Sequence, residues 1–324
     1  MSLRNRRHIP SPEEEVIQAR KFIMEFNSKY RIITCQLFLL LMLLLLSGCI
    51  YDDLSKCFRG RVLSLNVTLQ EDISGSALQD ISLYVFDEND LLLDILAVDV
   101  SEPVELNYPG VTGLHCVAWC NVGGGEVTMS PLEKGDTFSQ GMVSLKRLTD
   151  VRSGGTLYRS PSDLFSGRLK LAVGASSGGE GSYRLYVGRM VASMNVTIRG
   201  LQGLSGSSGG DYSLVVRETT GSIDFGGIYG GDRASYSVRG SMNGRKEYVV
   251  PSFRLFPVFE GEGLIIDIYR DGSLLRSVTL EDDGSPIVPE VGTTLNVLLN
   301  FEGHVSVSVA VTKWNVVHIW KDYD

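Results

Sequence analysis

The sequence predicts an all-β protein of sandwich type, on three observations. Apolar and polar residues alternate with period two along most of the chain, helical periodicity is nearly absent, and turn chemistry punctuates the alternating runs. A sheet with one buried face reads this way because successive side chains point to opposite sides of a strand. In VSVSVAVTKW, Val305, Val307, Val309 and Val311 point one way, and Ser306, Ser308, Ala310 and Thr312 the other. Met190, Ala192, Met194, Val196 and Ile198 oppose Val191, Ser193, Asn195, Thr197 and Arg199 in the same manner, and Leu295, Val297, Leu299 and Phe301 make a third strand. Only a short piece near Gly141 to Leu148 is expected as a helical turn.

The leader comes first. Its uninterrupted apolar stretch, Leu37 to Leu46, is 10 residues long, whereas a helix needs about 20 to cross a bilayer. It follows Lys29 and Arg31, the basic-then-apolar order of an export signal. It ends in Leu46-Ser47-Gly48-Cys49, which resembles the lipobox of bacterial lipoproteins. In that chemistry small residues let the peptidase grip the backbone, and the cysteine thiol takes the diacylglycerol and becomes the new amino terminus. Acyl chains contribute about 0.8 kcal/mol per buried methylene, and stable anchoring takes more than one chain, which a triacylated Cys49 supplies. Residues 1–48 are therefore expected as leader and lipoprotein signal peptide, and 49–60 as a lipidated tether. Pro10 to Gln18 is acidic and polar, unlike the start of a signal, and Met24 opens a leader of ordinary proportions. The true start is expected at Met24, or residues 1–23 are an extension.

The mature part is 276 residues, comfortable for two domains. Of 30 basic and 38 acidic residues in the chain, 7 and 4 precede Cys49, leaving 23 against 34. That balance excludes a nucleic-acid footprint, which must be basic. Leu65-Asn66-Val67-Thr68-Leu69 recurs as Met194-Asn195-Val196-Thr197-Ile198, and the hairpin ISLYVFDENDLLLDILAV is echoed by LIIDIYRDGSLLRSVTL. The offsets, 129 and 183, imply an insertion of about 54 residues in the second copy, expected in the Gly/Ser-rich GLSGSSGGDY and in GGIYGGDRASYSVRGSMNGR. The boundary is placed in the flexible loop ASSGGEGS, residues 175–182, giving sandwiches at 61–182 and 183–324.

Four cysteines remain after the leader: Cys49, Cys57, Cys116 and Cys120. Cys116 and Cys120 lie about 13 Å apart along one strand, too far for a disulfide with each other. Either Cys57 bridges to Cys116 or Cys120, or all three stay buried thiols. The histidines show no paired ligand spacing, so no zinc site is expected. Gly174-Ala175-Ser176-Ser177-Gly178 fits a nucleophile elbow but is followed by GGEGS rather than a helix. Asp87 to Asp90 and Glu281 to Gly284 lack the calcium-loop ligand pattern and read as solvated turns. Trp119, Trp314 and Trp320 are scattered along the chain and read as packing rather than a sugar platform. No catalytic set and no cofactor are expected.

Several short segments together resemble the fimbrial anchor lipoproteins of Bacteroidales-type pili, the minor fimbrillin anchor family. They are Cys49 to Leu54 with Cys57, Leu83-Tyr84-Val85-Phe86-Asp87, Val117-Ala118-Trp119 with Asn121, Ser162 to Gly167, Val187 to Ala192, and the closing strand ending at Trp314. Ser166 departs from the aromatic residue the family tends to have, and Cys120 from a small one. The resemblance implies two tandem transthyretin-like, Greek-key sandwiches on the outer face of an outer membrane, held by the N-terminal lipid, at the base of a pilus. It further implies fimbrillin-like pilus subunits as partners and assembly by strand addition, an open sheet edge being completed by a neighbour. The expected partner strand runs along Val305, Val307, Val309, Val311 and Trp314, or else the tail VVHIWKDYD makes the pairing. A tip subunit of the same system, and a surface glycan-binding lipoprotein, are the alternative readings.

Overall fold

The structure is a computed structural model and describes residues 20, 24, 63–69, 78–148, 156–172, 181–206 and 210–320. The expectations for the leader, Cys49, Cys57, residues 174–178 and the end of the tail lie outside the described residues. Met1–Arg59 and Gly60–Asp324 are separate compact units, and every strand among the described residues belongs to the second. Among the described residues no helix is long and apolar enough to cross a membrane.

The first half contributes β1 (Leu63–Leu69), β2 (Ile81–Phe86), β3 (Leu92–Val98), β4 (Val104–Leu106), β5 (Gly113–Cys120), β6 (Val127–Met129), β7 (Met142–Leu145), β8 (Phe165–Ala172) and β9 (Gly181–Arg189). Seven of them form one sheet in the order β3-β2-β5-β8-β9-β1-β4. β8 and β9 pair only through Phe165 with Arg189 and Ser166 with Gly188. The sheet folds over at that junction into two layers, enclosing Leu65, Leu83, Cys116, Phe165 and Leu185. Gly167 permits the crossing, since a Cβ there would lie 2.0 Å from the Tyr186 carbonyl oxygen.

The second half contributes β10 (Ala192–Arg199), β11 (Tyr212–Asp224), β12 (Tyr229–Val238), β13 (Ser241–Met242), β14 (Tyr248–Leu255), β15 (Ile265–Arg270), β16 (Ser273–Val278), β17 (Thr293–Asn300) and β18 (Ser306–Lys313). One layer runs β13-β14-β10-β17-β18, the other β16-β15-β11-β7-β6, with β12 added on β11. Met194, Val196, Leu214, Val216, Ile266 and Val297 fill the space between them.

The pairings of the two halves repeat. β1 lies between antiparallel β4 and parallel β9, and β10 lies between antiparallel β14 and parallel β17. In the other layer, β2 with β3 and β5, and β5 with β8, correspond to β11 with β12 and β15, and β15 with β16. The match of Leu65–Leu69 with Met194–Ile198 therefore joins equivalent strands. The hairpin match does not, because the topological counterpart of β2–β3 is β11–β12, while β15–β16 answers to β5 and β8. Of the two segments expected as an insertion in the second copy, GGIYGGDRASYSVRGSMNGR is strand β12 together with β13 and the turns around them. The extra material lies in the first half, where β6 and β7 leave their own sandwich and extend the sheet of the second.

The helical turn expected near Gly141 to Leu148 is strand β7, preceded by a 3-10 turn at Phe138–Gln140. Val143 and Leu145 are buried while Met142 and Ser144 are not, which is strand alternation. The boundary expected at residue 182 falls inside β9, which pairs with β1 along its length. The β15–β16 hairpin turns at Asp271 and Gly272, whose φ angles of 48° and 80° suit the turn that matches strand twist.

Candidate functional site

β18 forms one end of its sheet, and its register with β17 runs from Thr293 opposite Lys313 to Asn300 opposite Ser306. Val307 and Val309 lean on the core opposite Leu299 and Val297. Val305 and Val311 are about half exposed, at 48 % and 47 %. In an antiparallel strand the N–H and C=O of one residue face the same neighbour, and the direction alternates along the strand. Asp282, in the acidic turn after β16, reveals which residues face outward. The Val307 N–H donates to Asp282 Oδ1 at 2.7 Å, and the Asp282 N–H donates to the Val307 carbonyl at 3.2 Å. Val309, Val311 and Lys313 therefore share that outward edge. The Lys313 carbonyl accepts from the Val316 N–H at 3.0 Å, which closes the far end. Within β18, among the described residues, Val309 and Val311 are the residues whose outward N–H and C=O both remain open.

The tail turns back over the outer face of the same sheet. The Asn315 N–H donates to Thr294 Oγ1 at 2.9 Å, and the His318 N–H donates to Asn296 Oδ1 at 2.8 Å. Asn296 is fully buried and also receives Asn195 Nδ2 at 2.7 Å. Val316, Val317 and Ile319 stay exposed.

Trp314 is not at the open edge. The Arg189 guanidinium lies 3.9 Å above its ring and 4.9 Å from that of Phe165, and bonds Asp163 through Nε at 2.7 Å and a second nitrogen at 3.0 Å. Asn121 supports the loop around Asp163. Its Nδ2 donates to the Asp163 carbonyl at 2.7 Å, its carbonyl accepts from Ser162 Oγ at 2.6 Å, and its φ of 65° is one asparagine tolerates. Segments distant in sequence thus meet at one cluster joining the end of β9 to the end of β18. Sequence reasoning found these residues as motifs and missed their contact; it also missed Asp282 as the cap of the edge. The signal for Asp282 is an acidic residue in a turn beside a strongly alternating strand.

The other candidates have structural roles. Cys116 and Cys120 are fully buried free thiols pushed up to about 12 by burial. Cys57, the expected bridge partner, lies outside the described residues. Asp87 Oδ1 caps its own turn by accepting from the Asn89 and Leu91 N–H groups, and Asp283 Oδ1 does so from Ser285. Trp119 is fully buried in the core, away from any surface platform. Among the described residues no group of three or more His, Cys, Asp or Glu side chains is placed to hold a metal.

Comparison with known proteins adds three findings. A family model described as fimbrillin-A associated anchor proteins Mfa1 and Mfa2 matches residues 54–320. The major fimbrium anchoring subunit FimB of Porphyromonas gingivalis strain W83 is 27% identical over 296 residues, covering 85% of this chain and 93% of that protein. The solved structure of the fimbrial anchor protein Mfa2 from Porphyromonas gingivalis superposes with a TM-score of 0.55 at 11% identity, covering 78% of this chain and 98% of that one.

Proposed function

The chain belongs to the family of fimbrillin-A associated anchor proteins, and from that premise we propose that it is a fimbrial anchoring subunit, held at the outer membrane by lipid on Cys49 and joined to fimbrillin-like subunits of the fimbrium. The match over residues 54–320 carries this reading. The role is mechanical rather than catalytic: one end holds lipid, the other holds a fibre. The lipobox-like Leu46-Ser47-Gly48-Cys49 supports the first contact. The edge of β18 supports the second, because the open N–H and C=O groups of Val309 and Val311 accept a partner strand without rearrangement of the sheet. Reading Trp314 as part of that strand is replaced by a locking role, since its ring is committed to Arg189.

The test is Cys49→Ser in the native organism. Fimbriae and the variant are expected in the culture medium instead of on the cell. Fimbriae that stay cell-bound at the normal level would refute lipid-mediated anchoring by this subunit.

A further inference from the structure

We propose that the cleft between β8, β9 and the turn joining β11 to β12 binds an anionic carbohydrate, a sugar unit bearing a carboxylate. The cleft holds about 650 Å³, within the usual range for small-ligand sites and at a junction between lobes, where such sites concentrate. The outer face of β5 beside it is roofed by the 3-10 turn and the end of β11, with Phe138 stacked on His115 at 4.5 Å. The roof stops short of β8. Alternation along β8 turns Arg168 and Lys170 outward there, both exposed, as two cations two residues apart on a chain of net charge −8.

These cations are lightly committed. Lys170 Nζ has Asp90 at 3.9 Å, and Arg168 makes no ion pair among the described residues. The Arg168 guanidinium reaches toward the opposite wall, 3.9 Å from where a Cβ on Gly227 would stand. A guanidinium fork of this kind matches a carboxylate with two parallel hydrogen bonds.

Two further features select a sugar over an acidic peptide. Tyr186, 52% exposed on β9, offers an aromatic face beside the cations, against which the C–H face of a sugar ring stacks. Asp90 adds an anion to the same cleft, and a carboxylate only accepts. His115 Nδ1–H donates to Asp90 Oδ1 at 2.7 Å, which leaves the second oxygen for a hydroxyl donor. A peptide whose side chains are all carboxylates meets repulsion there, whereas a hydroxylated ring with one carboxylate satisfies both signs of charge. Gly167, Gly188 and Gly227 line the cleft without side chains to fill it.

The experiment is isothermal titration of the full-length protein in detergent with trigalacturonate, its methyl ester and triglutamate. Binding of trigalacturonate is expected, weakened tenfold or more by esterification and equally by Arg168→Ser combined with Lys170→Ser. Tyr186→Ala should weaken it at least threefold. All three positions are exposed, and an unchanged melting temperature shows that the variants fold. No binding of trigalacturonate, equal binding of the ester, unchanged affinity in the double variant, or triglutamate binding as tightly would each overturn the proposal. None of these outcomes bears on anchoring through Cys49.

Discussion

Arg189 is where single-residue energetics matter most. Its side chain is 3% exposed and holds Asp163 in a two-pronged pair while stacking on Trp314. A buried pair adds little net stability over an apolar substitute, but removing one partner leaves the other charge unpaired and costs about 3–5 kcal/mol. Arg189→Ala should lower the unfolding free energy by about that amount in a denaturant titration, and Asp163→Ala combined with it should lose less than the two singles summed. His115 sets a pH dependence. Burial is the largest cause lowering its pKa, against the Asp90 hydrogen bond, so its folded value lies below the ordinary value of 6.5. The unfolded chain then binds the proton more readily. Stability is full above about pH 6.5 and falls as pH drops through the unfolded value toward the folded one. Denaturant melts between pH 7 and 5.5 should show this slope, and His115→Gln should flatten it. Asp163, Arg189 and Trp314 stood in the sequence within short motifs. Their contact was not visible there, because the three are brought together by chain folding over long separations.

β18 is the element on which assembly turns. Its apolar-polar alternation was legible because Val305 to Thr312 alternates without interruption. Its place at the end of the sheet was not, since an edge strand and a central strand with one covered face carry the same pattern. Asp282 and the turn at Lys313 shorten the usable edge to Val309 and Val311, a common way of limiting unwanted pairing. Val311→Pro should therefore discriminate. Proline lacks an N–H, and at Val311 that N–H faces outward, so the β17 ladder survives and the fold is expected to melt within about 1–2 kcal/mol of the parent. Retention of fimbriae by cells carrying this variant should fall several-fold; retention at parental level would move the partner contact away from β18. The hairpins teach the opposite lesson. ISLYVF and LIIDIY look alike because two alternating strands around a polar turn always do, and the topology assigns them to different positions.

Across the whole molecule the two sandwiches are coupled by the β6–β7 excursion. Tyr84, Phe86 and Trp119, on the outer face of the first sandwich, share one core with Val143, Leu145 and Phe225 of the second sheet system. Tyr84 and Phe225 meet edge to face at 4.8 Å. Calorimetry of the full-length protein in detergent should accordingly show one cooperative transition for both lobes; two resolved transitions would mean that the shared core does not couple them. By itself the sequence determined the all-β class, the β1–β10 repeat and the family, because periodicity, turn chemistry and short motifs are local properties of the chain. Only the tertiary structure decided that the extra segment lies in the first half, that β9 completes the first sandwich, that the open edge is two residues long, and that Arg168, Lys170 and Tyr186 face one cleft. Each of these depends on which strand lies beside which, and strand pairing is settled by burial summed over the whole fold rather than by the residues of any one strand.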